Sequence, residues 1–150
     1  MPLYHFTDSR NVQTIQRFGL LSWRRLLDRG MRHWPASNEL SRNLDRQRNL
    51  EDYVRLCLRP EHPMATCAIL ERRVDRLVWL EVSDAVLHWR ATLFSSDNAT
   101  SNRAIINRDW RTAYKSESNQ AEVLVEGSLN VRWIIFPVEN QLVFDDDIPF

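Results

Sequence analysis

Glycine is scarce in this chain. Gly19, Gly30 and Gly127 are the only three in 150 residues. A dinucleotide fingerprint and a Walker loop both need clustered glycines to bring the backbone against phosphate, so both are excluded. Cysteine is scarcer still. Cys57 and Cys67 lie in apolar surroundings at a spacing that matches no zinc or redox motif, which predicts buried free thiols in a reducing cytoplasm. His5, His33, His62 and His88 are scattered, with no HExxH or CxxC pair, so no metal site is expected. No apolar run approaches the roughly 18 residues that a membrane span requires. The N-terminus, with Tyr4, His5 and Thr7, has no basic-then-apolar leader. Neither a secretion signal nor a membrane partner is therefore expected.

Lysine is almost missing as well. Lys115 stands alone against nineteen arginines, although the formal net charge is zero. The average conceals a pattern. From Arg10 to Arg48 there are nine arginines against Asp28, Glu39 and Asp45, a local charge of +6, while Asp145, Asp146 and Asp147 sit in the closing "FDDDIPF". Arginine suits bidentate phosphate contacts and stacking on bases, so the block suggests a nucleic acid or a phosphorylated small molecule. A solvated arginine-rich surface explains the same charge. Length and a composition of 43% hydrophobic and 27% charged residues predict one globular domain over residues 1–150.

The order of elements is mixed. "LYHFT" reads as a strand over residues 3–7, followed by a helix capped by Asp8 or Ser9 and closed by Gly19. Residues 24–49 have weak periodicity and read as a loop with short helical pieces. "YVRLCL" (53–58) reads as a strand, "RPEHP" as a turn and "MATCAIL" as helix or strand. A strand is predicted for "LVWLEV" (77–82), a short helix for "SDAVLHW", a polar loop for "FSSDNATSN" and a short helix for "RDWRTAYKS". "AEVLVEG" and "VRWIIFPV" read as two last strands. The absence of a regular βαβ alternation predicts an α+β fold, with a twisted sheet or split β-sandwich and helices to one side.

One acidic residue stands out. Glu122 lies among Ala121, Val123, Leu124 and Val125, where burying a carboxylate is costly. An edge-strand carboxylate facing solvent would fit the alternation equally. His5 and Thr7 share one face of the first strand and could likewise be ordinary polar groups on an edge.

In their order along the chain these pieces resemble the DarT family of DNA ADP-ribosyltransferases. "LYHFTDSRNVQTIQRFGLLS" is similar to the family's opening strand with His-x-Thr and its helix ending in Gly-Leu. "LEDYVRLCLRPEHPM" resembles the Asp-Tyr-Val strand and Pro-x-x-Pro-Met turn. "LFSSDNATS" resembles a Phe-Thr-Asp-Gly-(His or Asn)-Ala loop, and "NQAEVLV" an Ala-Glu-Phe-Leu-Val strand bearing the catalytic glutamate. The resemblance implies an ADP-ribosyltransferase-like split β-sheet core with flanking helices and NAD as co-substrate. It further implies transfer of ADP-ribose to a nucleobase of single-stranded DNA, with release of nicotinamide. Glu122 would hydrogen-bond the ribose 2′-hydroxyl, stabilise the positive charge at the anomeric carbon and take a proton from the base, a role that a raised carboxyl pKa would suit. His5 and Thr7 would meet the nicotinamide and its ribose, and Tyr53 and Met64 would line the cleft. Arg42, with Arg46 as second choice, would hold phosphate and assist catalysis. Asn98 would lie near the target base, and Arg46 and Arg48 could track the DNA backbone.

The family context implies a cytoplasmic bacterial toxin of a toxin–antitoxin or phage-defence pair, with a macrodomain antitoxin that removes the mark as partner. Departures from the family pattern are the Cys57 that replaces an aromatic, "SSD" in place of Thr-Asp-Gly, and a short loop before Tyr53. An RNA or protein acceptor, or a non-catalytic nucleic-acid-binding module on the same fold, would keep much of this pattern.

Overall fold

The computed structural model describes residues 1–138. The acidic "FDDDIPF" segment lies outside them. β1 (Leu3–Asp8) opens the chain. Asp8 ends it and caps a short 3-10 turn over Ser9–Asn11 by accepting the Arg10 amide, and α1 (Val12–Phe18) continues from that turn. Gly19 stops α1 at φ 81°, its N–H returning to the Ile15 carbonyl. A Cβ at this position would lie 2.2 Å from the Leu129 carbonyl oxygen, so only glycine permits the approach. β2 (Leu20–Leu21) follows.

Residues 24–49, read from the sequence as largely loop, contain two helices. α2 (Trp23–Asp28) is capped by Ser22, and α3 (Glu39–Gln47) by Asn38, whose side chain accepts the Ser41 amide at 2.8 Å. Local caps supply what the weak apolar periodicity does not show. β3 (Tyr53–Cys57) comes next. α4 (Pro63–Leu70) settles "MATCAIL" as helix. Pro63, expected to forbid regular structure, occupies the first turn, where a missing N–H costs nothing. α4 buries Ala65 and Ala68 and turns Cys67 outward, so only Cys57 is the buried thiol that was expected.

β4 (Leu77–Val82) leads to a 3-10 turn over Asp84–His88, then to β5 (Leu93–Ser95), β6 (Ile106–Asn107) and α5 (Arg111–Tyr114). β7 (Glu122–Glu126) and β8 (Ser128–Leu129) follow. "VRWIIFPV" is mostly not a strand. Asn130 caps a 3-10 turn over Val131–Trp133, which leaves only β9 (Ile134–Ile135).

The main sheet runs β6-β5-β7-β3-β1-β4-β9 with its registered pairings antiparallel, and β2 pairs with β8 in a second, two-stranded sheet. This is the expected α+β fold. Val54, Leu56, Val78, Leu80, Val82, Val123 and Val125 alternate into a common core with Val12 and Ile15 of α1. A smaller cluster of Leu50, Ala99 and Leu124 covers the face of β7 that also carries Glu122. The sheet is nearly divided. β1 pairs with β4 over six residues and β3 with β7 over five, but β1 meets β3 through one registered pair, Tyr4↔Cys57. A cleft lined by His5 and Thr7 of β1, by Tyr53, Arg55 and Cys57 of β3 and by Glu122 of β7 lies at that junction.

Candidate active site

Glu122 lies between strands rather than at an edge. β7 is flanked by β3 and β5, so Cys57 and Ser95 are the register partners of Glu122, and the residue is 4% exposed. A carboxylate there needs compensation, and three donors supply it. Arg55 gives Nε–H to Oε2 at 2.9 Å and Nη2–H to Oε1 at 2.6 Å, while the Ala99 amide gives a third bond to Oε1 at 2.7 Å. The guanidinium has two further partners. Nη1 lies 3.3–3.4 Å from both oxygens of Asp45, and Nη2 donates to Asn98 Oδ1 at 2.6 Å. Burial opposes the Arg55 charge, but Glu122 and Asp45 outweigh it and keep the group firmly protonated. Burial pushes the Asp45 carboxyl up, against the pull of Arg55.

Arg55 and Asp45 were not singled out in the sequence. The signal was present for Arg55. It interrupts an apolar strand as Glu122 does, and a buried charge implies an opposite one nearby.

The other wall comes from β1. His5 Nδ1 lies 2.9 Å from the Arg55 carbonyl, so its hydrogen is on Nδ1 and Nε2 is left as an acceptor. Burial lowers the pKa of this imidazole, which is therefore neutral at pH 7. Thr7 accepts from Asn11 Nδ2 at 3.1 Å. The same Asn11 exchanges two hydrogen bonds with the Trp34 backbone, tying the loop before α3 to the strand.

Arg42 is bound to the Ser37 carbonyl at 2.5 Å and lies over the Trp23 ring at 5.0 Å. His33, which burial lowers to a pKa of about 4, faces the same space. Of the residues expected at a site, His5, Thr7, Arg42, Tyr53, Met64 and Glu122 all line this one cleft. Asn98 joins them indirectly. It is 8% exposed, and its carbonyl oxygen is held by Arg55 and by the Thr100 amide and hydroxyl. Arg46 and Arg48 are not in the lining. Arg46 lies 3.5 Å from Glu51, and Arg48 clamps the loop after β5 through the carbonyls of Ala99 and Ser101 and the side chain of Asn102. Chemically, the cleft offers a fixed anion, neutral imidazole acceptors and the Arg42 guanidinium in its lining.

Comparison with known proteins gives these features a frame. A family model described as ssDNA thymidine ADP-ribosyltransferase, DarT, matches residues 4–136. The comparison with curated proteins returned no match. Among solved structures, the fold is similar to Thermosipho africanus DarTG in complex with ADP-ribose, with a TM-score of 0.75 and 19% identity. That likeness covers 98% of this chain and 47% of the other, so the chain spans about half the length of the Thermosipho protein. It is also similar to Thermus sp. 2.9 DarT in complex with ADP-ribosylated ssDNA (TM-score 0.68, 18% identity, 96% and 86% of the two chains). The same Thermus protein in complex with NAD+ gives 0.60 and 21%, again over 96% and 86%. A family match that runs from the first strand through the last, on a fold shared with these structures, means that the chain belongs to the DarT family of ssDNA thymidine ADP-ribosyltransferases.

Proposed function

We propose that this protein cleaves NAD+ at the nicotinamide glycosidic bond and transfers the ADP-ribose to thymidine in single-stranded DNA. The observation that carries the reading is Glu122, a carboxylate buried on a central strand at the floor of the cleft and fixed by two bonds from one guanidinium. As nicotinamide leaves, positive charge develops on the ribose. An anion already held in place stabilises that charge without having to reorganise.

In this reading His5 Nε2 and Thr7 receive the nicotinamide riboside, and Arg42 meets the pyrophosphate. Tyr53 and Met64 form the walls, and Asn98 helps order the edge where the base enters. An unpaired base reaches such a pocket without the cost of leaving a duplex stack. Arg46 and Arg48, both at the end of α3, order that edge by holding Glu51 and the loop that carries Asn98. Residues 1–150 act as one catalytic domain in the bacterial cytoplasm, restrained by a macrodomain antitoxin. Similarity to the Thermosipho DarTG and Thermus DarT complexes supports this assignment.

The test is incubation with labelled NAD+ and single-stranded oligonucleotides with and without thymidine, beside Glu122→Ala. The expected result is an oligonucleotide heavier by one ADP-ribose, only where thymidine and Glu122 are both present. Nicotinamide release without any DNA adduct would move the acceptor to RNA or protein. No release at all would leave a nucleic-acid-binding module.

A further inference from the structure

Glu122 has little capacity left. A carboxylate offers two acceptor positions on each oxygen. Both on Oε1 are taken, by Arg55 Nη2 and the Ala99 amide, and Arg55 Nε takes one on Oε2. One position remains, and the ribose 2′-hydroxyl fills it when Glu122 stabilises the departing nicotinamide riboside. The transfer has a second demand. In thymidine the base keeps one N–H, and forming a bond from that nitrogen to the anomeric carbon expels its proton.

A second carboxylate stands on the far side of the same guanidinium. Asp45 lines the cleft, and its contacts to Arg55 Nη1 are long, at 3.3 and 3.4 Å. It follows Arg42 by three residues on α3, so the two share a face of that helix. Three residues further on, Arg48 reaches the carbonyls of Ala99 and Ser101, in the loop that presents Asn98. Asp45 therefore stands on α3 between Arg42, which lines the cleft, and Arg48, which holds the loop that carries Asn98.

We infer that Asp45 is a catalytic residue, the general base that accepts the proton of the incoming nucleobase, while Glu122 serves as the fixed anion. The inference rests on the transfer reading above. The glycosidic C–N bond breaks and its electron pair leaves with neutral nicotinamide. The base nitrogen bonds to the anomeric carbon, and its proton passes to an Asp45 oxygen and then to solvent. The groups acting on Asp45 are Arg55, Glu122 and Arg48. Burial and Glu122 raise its carboxyl while the two arginines oppose them, and the net effect is upward, which favours proton uptake.

The experiment measures two products from the full chain under single-turnover conditions, the thymidine adduct and free nicotinamide. Asp45→Asn keeps the shape of the side chain, and Asp45→Ala leaves room for formate. The expected result is an adduct rate lowered about 100-fold in Asp45→Asn, the lower end for loss of a general base. Nicotinamide release changes little, and formate restores adduct formation in Asp45→Ala. Adduct formation at the wild-type rate in Asp45→Asn would overturn the inference and make Asp45 a counter-ion of Arg55. Equal loss of both products with no formate rescue would also overturn it, since Asp45 would then act through Glu122. A wild-type chain that releases nicotinamide but marks no DNA would defeat the acceptor reading itself, and the base role would fall with it.

Discussion

At the scale of single residues, the cleft holds three histidines whose protonation burial opposes. His5, His33 and His62 are all lowered by burial, His33 to about 4. An unfolded histidine titrates near 6.5. Between pH 6.5 and 4 the unfolded chain thus binds protons that the folded chain refuses, and stability rises with pH across that window. The contribution is complete above about pH 6.5 and is lost as pH falls towards 4. Urea unfolding at stepwise pH should show the midpoint falling over this range, and His33→Gln should flatten part of the slope. The same scale shows what the sequence disclosed. Glu122 was legible because a carboxylate in an apolar run breaks a local rule. Arg55 breaks the same rule, but its meaning depends on β3 lying beside β7, and that pairing joins residues 67 apart in sequence.

At the scale of elements, strands with regular alternation could be read directly, and 77–82 appears with the expected bounds. What could not be read was held by side chain to backbone bonds. α3 is the clearest case. It is polar, it leaves Leu40 66% exposed, and its start is fixed by Asn38 rather than by a hydrophobic stripe. Asn38→Ala should cost about 1 kcal/mol, the usual loss for such a cap. Because Arg42 and Asp45 ride on this helix, the variant should also raise KM for NAD+. Thermal unfolding checks the first effect and initial-rate kinetics the second. The final strand was over-read for the same reason, since Asn130 turns "VRW" into a 3-10 turn that alternation does not reveal.

At the scale of the whole molecule, the +6 charge of the arginine block overstates what DNA could feel. Arg10 is paired with Asp8, Arg25 with Asp52 and Arg46 with Glu51, while Arg48 is committed to the loop after β5 and Arg42 lies in the cleft. Arg17, Arg24, Arg29 and Arg32 have no ion pair among the described residues. If these four meet phosphates, the logarithm of affinity for a single strand should fall with a slope of about −3 against the logarithm of salt concentration. That is a loss of about 50-fold from 50 to 200 mM. Fluorescence anisotropy with a labelled oligonucleotide checks the slope, and nine contacts would give a value more than twice as steep.

The single rung between β1 and β3 has a mechanical meaning. Two well-laced plates that share one backbone stitch and the His5–Arg55 bond can hinge about that line, and anything laid across the opening becomes a brace. His5 stands on one plate, and Tyr53 and Glu122 stand on the other. A nucleotide seated among them would do work that backbone pairing leaves undone. Filling the cleft and stiffening the protein would then be one event, and the empty enzyme would be the looser body.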